Sequence, residues 1–219
     1  MKQASFFVYC RVLSCLIFFL ALSGCISVPN SPTPRFYMLQ AIDKDQEVGK
    51  FKITSGMIIG IGPVKIPEYL NRPQIVTRDK NNMLTFAQFD RWGEPLDFAL
   101  GRLIRDNLIV MLPGAAFELF PWDMDVPVRY QVFIDLVQLE SELKKDLFFV
   151  VQWSVFDLSK KKMMVMKRSE FRQPITPGNY SGLAKTLSAV CVSLSNDIAR
   201  EVSTLVNQPE KEDDVVLAN

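Results

Sequence analysis

The chain has 219 residues, 25 Lys+Arg against 24 Asp+Glu, and 48% hydrophobic residues. That is room for one ordinary domain with a packed core; it excludes wholesale disorder, and the balanced charge offers no basic face to nucleic acid. Histidine is absent, which removes Ser-His and Cys-His nucleophile pairs, imidazole acid–base chemistry and most zinc and haem ligand sets.

The chain starts Met1-Lys2-Gln3 and carries one more cation, Arg11, before the apolar run Val12 to Leu22. A spanning helix needs about 20 mostly apolar residues. A cationic start, a short apolar run and small residues after it make a secretory signal pattern. An uncleaved membrane anchor is the alternative reading. Leu22-Ser23-Gly24-Cys25 then resembles the bacterial lipobox. That resemblance implies cleavage between Gly24 and Cys25, a thioether-linked diacylglycerol on Cys25, and N-acylation of the new terminus. Only a thiol supplies the nucleophile for such a lipid transfer. One acyl chain holds a protein marginally and several hold it stably, so the mature chain is expected to be anchored to a membrane without spanning it. The residue after the cysteine is Ile26 rather than aspartate, and by the same resemblance to bacterial lipoproteins this implies the periplasmic face of the outer membrane.

Three prolines in residues 26–35 make a stiff, extended tether of the segment 25–35. Arg35 to Leu39 reads as a short strand and Ala41 to Lys52 as charged loop. Met57 to Ile61 is an apolar strand ending in Gly-Ile-Gly-Pro. Gly60 and Gly62 lack the third glycine or the Lys-Ser pair of a phosphate loop, and Pro63 forbids helix continuation, so they read as shapers of a strand end. Pro67 to Pro73 is a proline-bracketed turn feeding the strand Gln74 to Arg78. Asp79 to Asn82 turns into a second hairpin strand, Met83 to Phe89.

After Pro95, apolar residues recur at Leu96, Ala99, Leu100, Leu103, Ile104, Leu108, Met111 and Leu112, which predicts a helix over about 95–112. A second stripe, Leu183, Leu187, Val190, Cys191, Leu194, Ile198, Val202 and Leu205, predicts a helix over about 180–206. Cys191 sits on that stripe as a small buried hydrophobe rather than a reactive thiol. Between the helices, Phe117 to Phe120, Val128 to Leu139, Leu147 to Leu158 and Met163 to Phe171 read as strands. The third is apolar on both faces at its start, as a central strand covered by helices would be. The prediction is α/β: a single three-layer domain over 36–206, one mixed β-sheet flanked by two main helices, with a signal peptide over 1–24 and a flexible polar tail over 207–219.

Several stretches in this order resemble the ABC-type transport auxiliary lipoproteins, the PqiC-like group. They are Arg35-Phe36-Tyr37-Met38-Leu39, Ile61 through Arg78, Arg91-Trp92-Gly93-Glu94-Pro95-Leu96, Pro121-Trp122 and Leu194 to Ala199. The resemblance implies a three-layer α/β fold and a non-enzymatic periplasmic lipoprotein serving an MCE-type lipid transport system. Its expected partners are an MCE-domain protein, through it an inner-membrane transport complex, and membrane lipids. A homo-oligomeric ring would suit a tubular partner. No catalytic or metal site is expected, and no cofactor beyond the diacylglycerol and N-acyl chain on Cys25.

The proline-bracketed turn admits two readings. Tyr69, Leu70 and Arg72, with Trp92 beyond, could dock the partner, with Tyr69 as anchor and Arg72 as charged contact. Equally, two prolines and an inward Tyr69 could fix a corner, with Trp92 covering the core at a helix entry. A stand-alone lipid-binding or structural envelope lipoprotein is the alternative function. An enzyme without histidine would need a Ser-Lys or paired-carboxylate site, and Lys185 lies three positions from Ser188 and ten from Ser195. Cleavage before Cys25 would remove Lys2, Arg11, Cys10 and Cys15, leaving 23 cations against 24 anions and no free pair of cysteines for a disulfide.

Overall fold

The computed structural model describes residues 11, 14, 31–43, 48–53, 56–79 and 81–207. The chain divides into two compact units, 1–33 and 34–219. The Leu22-Ser23-Gly24-Cys25 motif and the tail from residue 208 lie outside the described residues.

Among the described residues of the second unit are eight strands and two α-helices: β1 (Arg35–Tyr37), β2 (Ile58–Lys65), β3 (Gln74–Arg78), β4 (Leu84–Trp92), α1 (Leu96–Met111), β5 (Ala116–Leu119), β6 (Tyr130–Ser141), β7 (Asp146–Asp157), β8 (Lys162–Pro174) and α2 (Tyr180–Asn207). The mixed α/β class and the two helices match the sequence reading. The strands, however, divide between two sheets, a three-stranded one in the order β1-β4-β3 and a five-stranded one in the order β5-β2-β6-β7-β8. Both are mixed. β1 runs parallel to β4 while β3 is antiparallel to it, and β2 runs parallel to both its neighbours while β6, β7 and β8 form an antiparallel meander.

The helices form where the apolar stripes lie. Ala99 N–H donates to Pro95 at the start of α1 (2.9 Å), and Leu112 N–H to Leu108 at its end (2.8 Å), where Pro113 and Gly114 stop it. Asn179 caps α2, its side-chain oxygen accepting the Gly182 N–H at 2.9 Å. The two helices pack on each other, α1 against β2 and β5 and α2 against β7 and β8. They therefore share one face of the larger sheet. On that face lie Ile59, Ile61, Val132, Ile134, Trp153 and Val155, all essentially removed from water. Lys167, opposite Trp153 in the β7–β8 register, reaches Glu201 on α2 from the same face. β7 is thus central in its sheet as predicted, but helices cover it on one side only.

One buried polar knot ties the layers. Asn107 of α1 accepts the Ile42 N–H at 3.0 Å and donates to the Ser195 hydroxyl at 3.2 Å, and Ser195 in turn donates to the Cys191 carbonyl. With every member paired, the knot fixes the register of α1 against α2 rather than leaving an unsatisfied group in the core. Cys191 lies in that core, and burial pushes its thiol up to about 12.

β5 and β6 flank β2 in parallel, so the segment 120–129 joining them must cross the face of β2 that the helices leave open. Trp122 makes the crossing over Gly60, where any Cβ would fall inside the indole ring. Gly60 therefore lies within β2, not at its end, and its missing side chain is the seat of Trp122. Pro63 sits where the β2–β6 register shifts, a place that asks no ladder N–H of it.

Candidate functional site

The proline-bracketed segment folds as a 3-10 turn, Glu68–Leu70, between Pro67 and Pro73. Leu70 N–H donates to Pro67 at 2.9 Å, Asn71 N–H to Glu68 at 3.1 Å and Arg72 N–H to Leu70 at 2.8 Å, closing the corner on itself. Leu70 is 3% exposed and Trp92 6%, the Trp92 N–H held by the Pro73 carbonyl at 2.8 Å. Tyr69 is half-buried; burial pushes its phenol up, against a hydrogen bond to the Leu139 backbone. Three of the four candidate docking residues thus pack inward, and the corner reading accounts for them. Arg72 alone points outward, its guanidinium 4.3 Å over the ring of Phe86, which is 44% exposed. Phe86 was not singled out in the sequence; the alternation of β4 was the signal that placed an aromatic on its exposed phase.

A second exposed region is the uncovered face of the larger sheet. Phe133 and Phe156 meet edge to face with centroids 6.5 Å apart, and Phe120 meets Trp122 likewise at 5.6 Å. A groove of about 360 Å³ runs between Pro63, Phe133, Phe156 and Met163, with Lys65 and Asp135 on its polar side. Along β6, Tyr130, Val132, Ile134 and Leu136 alternate onto the core face and leave Phe133 and Val137 on the opposite, exposed phase, a signal the alternation of the sequence carried.

A third region flanks β1. Here the strip 38–42 lies over both helices, pinned by Arg102 on the Leu39 carbonyl (3.1 Å), by the Ser188 hydroxyl accepting the Gln40 N–H (3.1 Å) and by Asn107 on Ile42. Between the strip and α2 lies an open groove of about 600 Å³. At its end Arg35 forms a forked pair with Asp90 (2.8 and 2.9 Å), and the Tyr37 hydroxyl donates to the same carboxylate at 2.7 Å. Burial alone would push the Asp90 carboxyl up; the donors from Arg35 and Tyr37 outweigh it and hold the group below the ordinary range.

The Asp157 carboxyl is likewise held low despite burial. It accepts the Lys160 and Ser159 N–H groups (3.0 and 2.9 Å) and the Ser159 hydroxyl (2.7 Å), with Arg129 at 3.1 Å, closing the β7–β8 hairpin. Both perturbed carboxylates are explained by structural pairing. Among the described residues no cluster of cysteine and carboxylate side chains has the arrangement to hold a metal ion, and no helix is long and apolar enough to cross a membrane.

Comparison with known proteins gives the family. A crystal structure of an uncharacterized protein, 18% identical, superposes with a TM-score of 0.64 over 78% of this chain and 99% of that one. Protein XCC0632 from Xanthomonas campestris, of the family DUF330, is 10% identical with a TM-score of 0.58 over 78% of this chain and 95% of that one. At these identities the two share the fold. A PelC dodecamer from Paraburkholderia phytofirmans reaches a TM-score of only 0.45 at 11% identity, over 74% of this chain and 96% of that one, too distant to bear on assembly. No curated protein sequence matches the chain. The sequence pattern of the ABC-type transport auxiliary lipoprotein component matches residues 37–199, from the end of β1 to the last turns of α2, and the chain belongs to that family.

Proposed function

We propose that this protein is lipidated on Cys25, held at the periplasmic face of the outer membrane, and serves as the docking component of an MCE-type ABC system moving phospholipid between the two membranes. The observation that carries the reading is the family match over residues 37–199 behind a lipobox at the end of an apolar signal segment. The work of such a component is binding and positioning, and its chemistry is that of surfaces. The outward pair Arg72 and Phe86 is the part of the proline-bracketed corner available to a partner, with Tyr69, Leu70 and Trp92 holding it in place. A homo-oligomeric ring would present that pair repeatedly around a tubular partner.

The test is purification of the lipidated protein from native envelopes with its bound proteins. The reading expects an MCE-domain protein in the eluate, and Arg72→Ala should weaken its recovery while leaving the melting temperature within about 2 °C, as a surface substitution does. Recovery of an ABC system without any MCE protein would overturn the finer assignment and leave the family intact. Fractionation with inner-membrane markers would overturn the outer-membrane placement.

The apolar groove beside Phe133 favours a second reading, a lipid carrier acting alone. Phospholipid found by mass spectrometry in organic extracts of the purified protein, with no transport partner recovered, would select it.

A further inference from the structure

The groove between the strip 36–42 and α2 is lined from Phe36 onward, near the start of the second unit. Its mouth carries Phe36, 64% exposed, and Met38, 50% exposed, on the first strand after residue 34. Among the described residues its lining includes one charged side chain, Lys185, and Asp43, next to the lining residue Ile42, is exposed. Arg35, one strand position before Phe36, keeps most of its side chain in water, and the carboxylate it pairs with, Asp90, is buried. Exposed apolar side chains beside cations are the pattern of a surface that lies on anionic lipid headgroups.

Chain length supplies a second argument. Phe36 lies eleven positions after Cys25, a span of at most about 36–40 Å when fully extended. On the lipid-anchor reading proposed above, which this inference rests on, Phe36 and Met38 can never leave the neighbourhood of the bilayer. A tether this short raises the effective concentration of membrane at the groove to the millimolar range, so a patch too weak to bind membranes alone would be occupied. We infer that the β1–α2 groove is the membrane-facing surface of the domain, seating Phe36 and Met38 at the headgroup boundary with Lys185 and Arg35 on anionic headgroups.

The experiment uses the full-length lipidated protein reconstituted into vesicles of neutral and anionic phospholipid. Met38→Cys, with Phe36→Cys as a second position, carries an environment-sensitive fluorophore, and Met163→Cys on the uncovered sheet face serves as comparator. The core thiol of Cys191 is out of reach of the label, and a lipidated Cys25 has none to offer. The expected result is a blue shift and quenching by nitroxide-labelled lipids at positions 36 and 38, with neither at 163. Lys185→Gln should lower the membrane-seated fraction of the Met38 probe about fivefold. If the protein floats with the vesicles while the probes at 36 and 38 stay water-like, the groove faces elsewhere and the anchor stands. A blue shift that follows protein concentration in detergent, without vesicles, would place a second copy in the groove and overturn the proposal. If the protein does not float at all, the anchor reading fails and the membrane-facing groove fails with it.

Discussion

The two faces of the five-stranded sheet are made by the same strands and have opposite fates. One is covered by α1 and α2 and carries Trp153, Ile134, Val132 and Val155; the other carries Phe133, Gln152, Phe156 and Met163 on the alternate phase. Helical stripes were available for only one side, so the second face is covered locally, by Trp122 over Gly60, and buries Val150, Gln131 and Ser154 while leaving Met163 exposed. A core face is thus built by complementary elements distant in sequence. The open face is built by neighbours along and across the strands, and its apolar members are free to serve contacts outside the chain.

The comparison can be broken most severely from the covered side. Trp153→Ala removes an indole that is 1% exposed and donates to Ser169 at 3.1 Å, and should cost about 3–5 kcal/mol by denaturant unfolding. Gly60→Val tests whether the open face depends on its one strap. Expelling Trp122 should cost about 1–3 kcal/mol and raise Trp122 accessibility to a quencher, whereas unchanged quenching would show that the strap does not rest on Gly60. At the hairpin joining β7 and β8, Asp157→Asn should cost about 1–3 kcal/mol at neutral pH. The Asp157 carboxyl titrates below its ordinary 3.8 when folded, so its contribution is complete above that pH and is lost as pH falls further. The gap between wild type and variant should therefore close on acidification below about pH 3.8, and a constant gap would assign the cost to packing. Phe133→Ser on the open face loses the edge-to-face contact with Phe156 and should cost about 0.5–1.5 kcal/mol; a loss as large as that of Trp153→Ala would mean the two faces are not different in kind.

Much of this was legible in the residues. The periodicity of 3.6 located both helices to within a residue or so and placed Cys191 in the core, because each stripe had one surface to bury. Strand positions followed from alternation and turn chemistry, Gln74–Arg78 among them. The division into two sheets was not legible, since alternation says which way a side chain points and not which strand lies alongside. The β5–β6 crossover escaped for the same reason, and with it the role of Gly60, whose partner Trp122 is sixty-two positions away. At the proline-bracketed corner the residue types were right for either docking or packing. Only burial separated Leu70 and Trp92, which pack, from Arg72, which does not.

The larger sheet ends at β8, thirteen residues long, with no further strand beside it among the described residues. Its sequence places Lys162, Lys167, Arg168 and Arg172 against a single acid, Glu170. Were another copy of the chain to align its own β8 in parallel register along this margin, cations would face cations at four of its thirteen positions, and the backbone bonds gained would be set against that repulsion. The margin thereby works as a fence against fibrous, edge-to-edge growth. On the lipid-anchor reading proposed above, a protein concentrated on a two-dimensional membrane would need such a fence, because neighbours there meet far more often than they would in free solution.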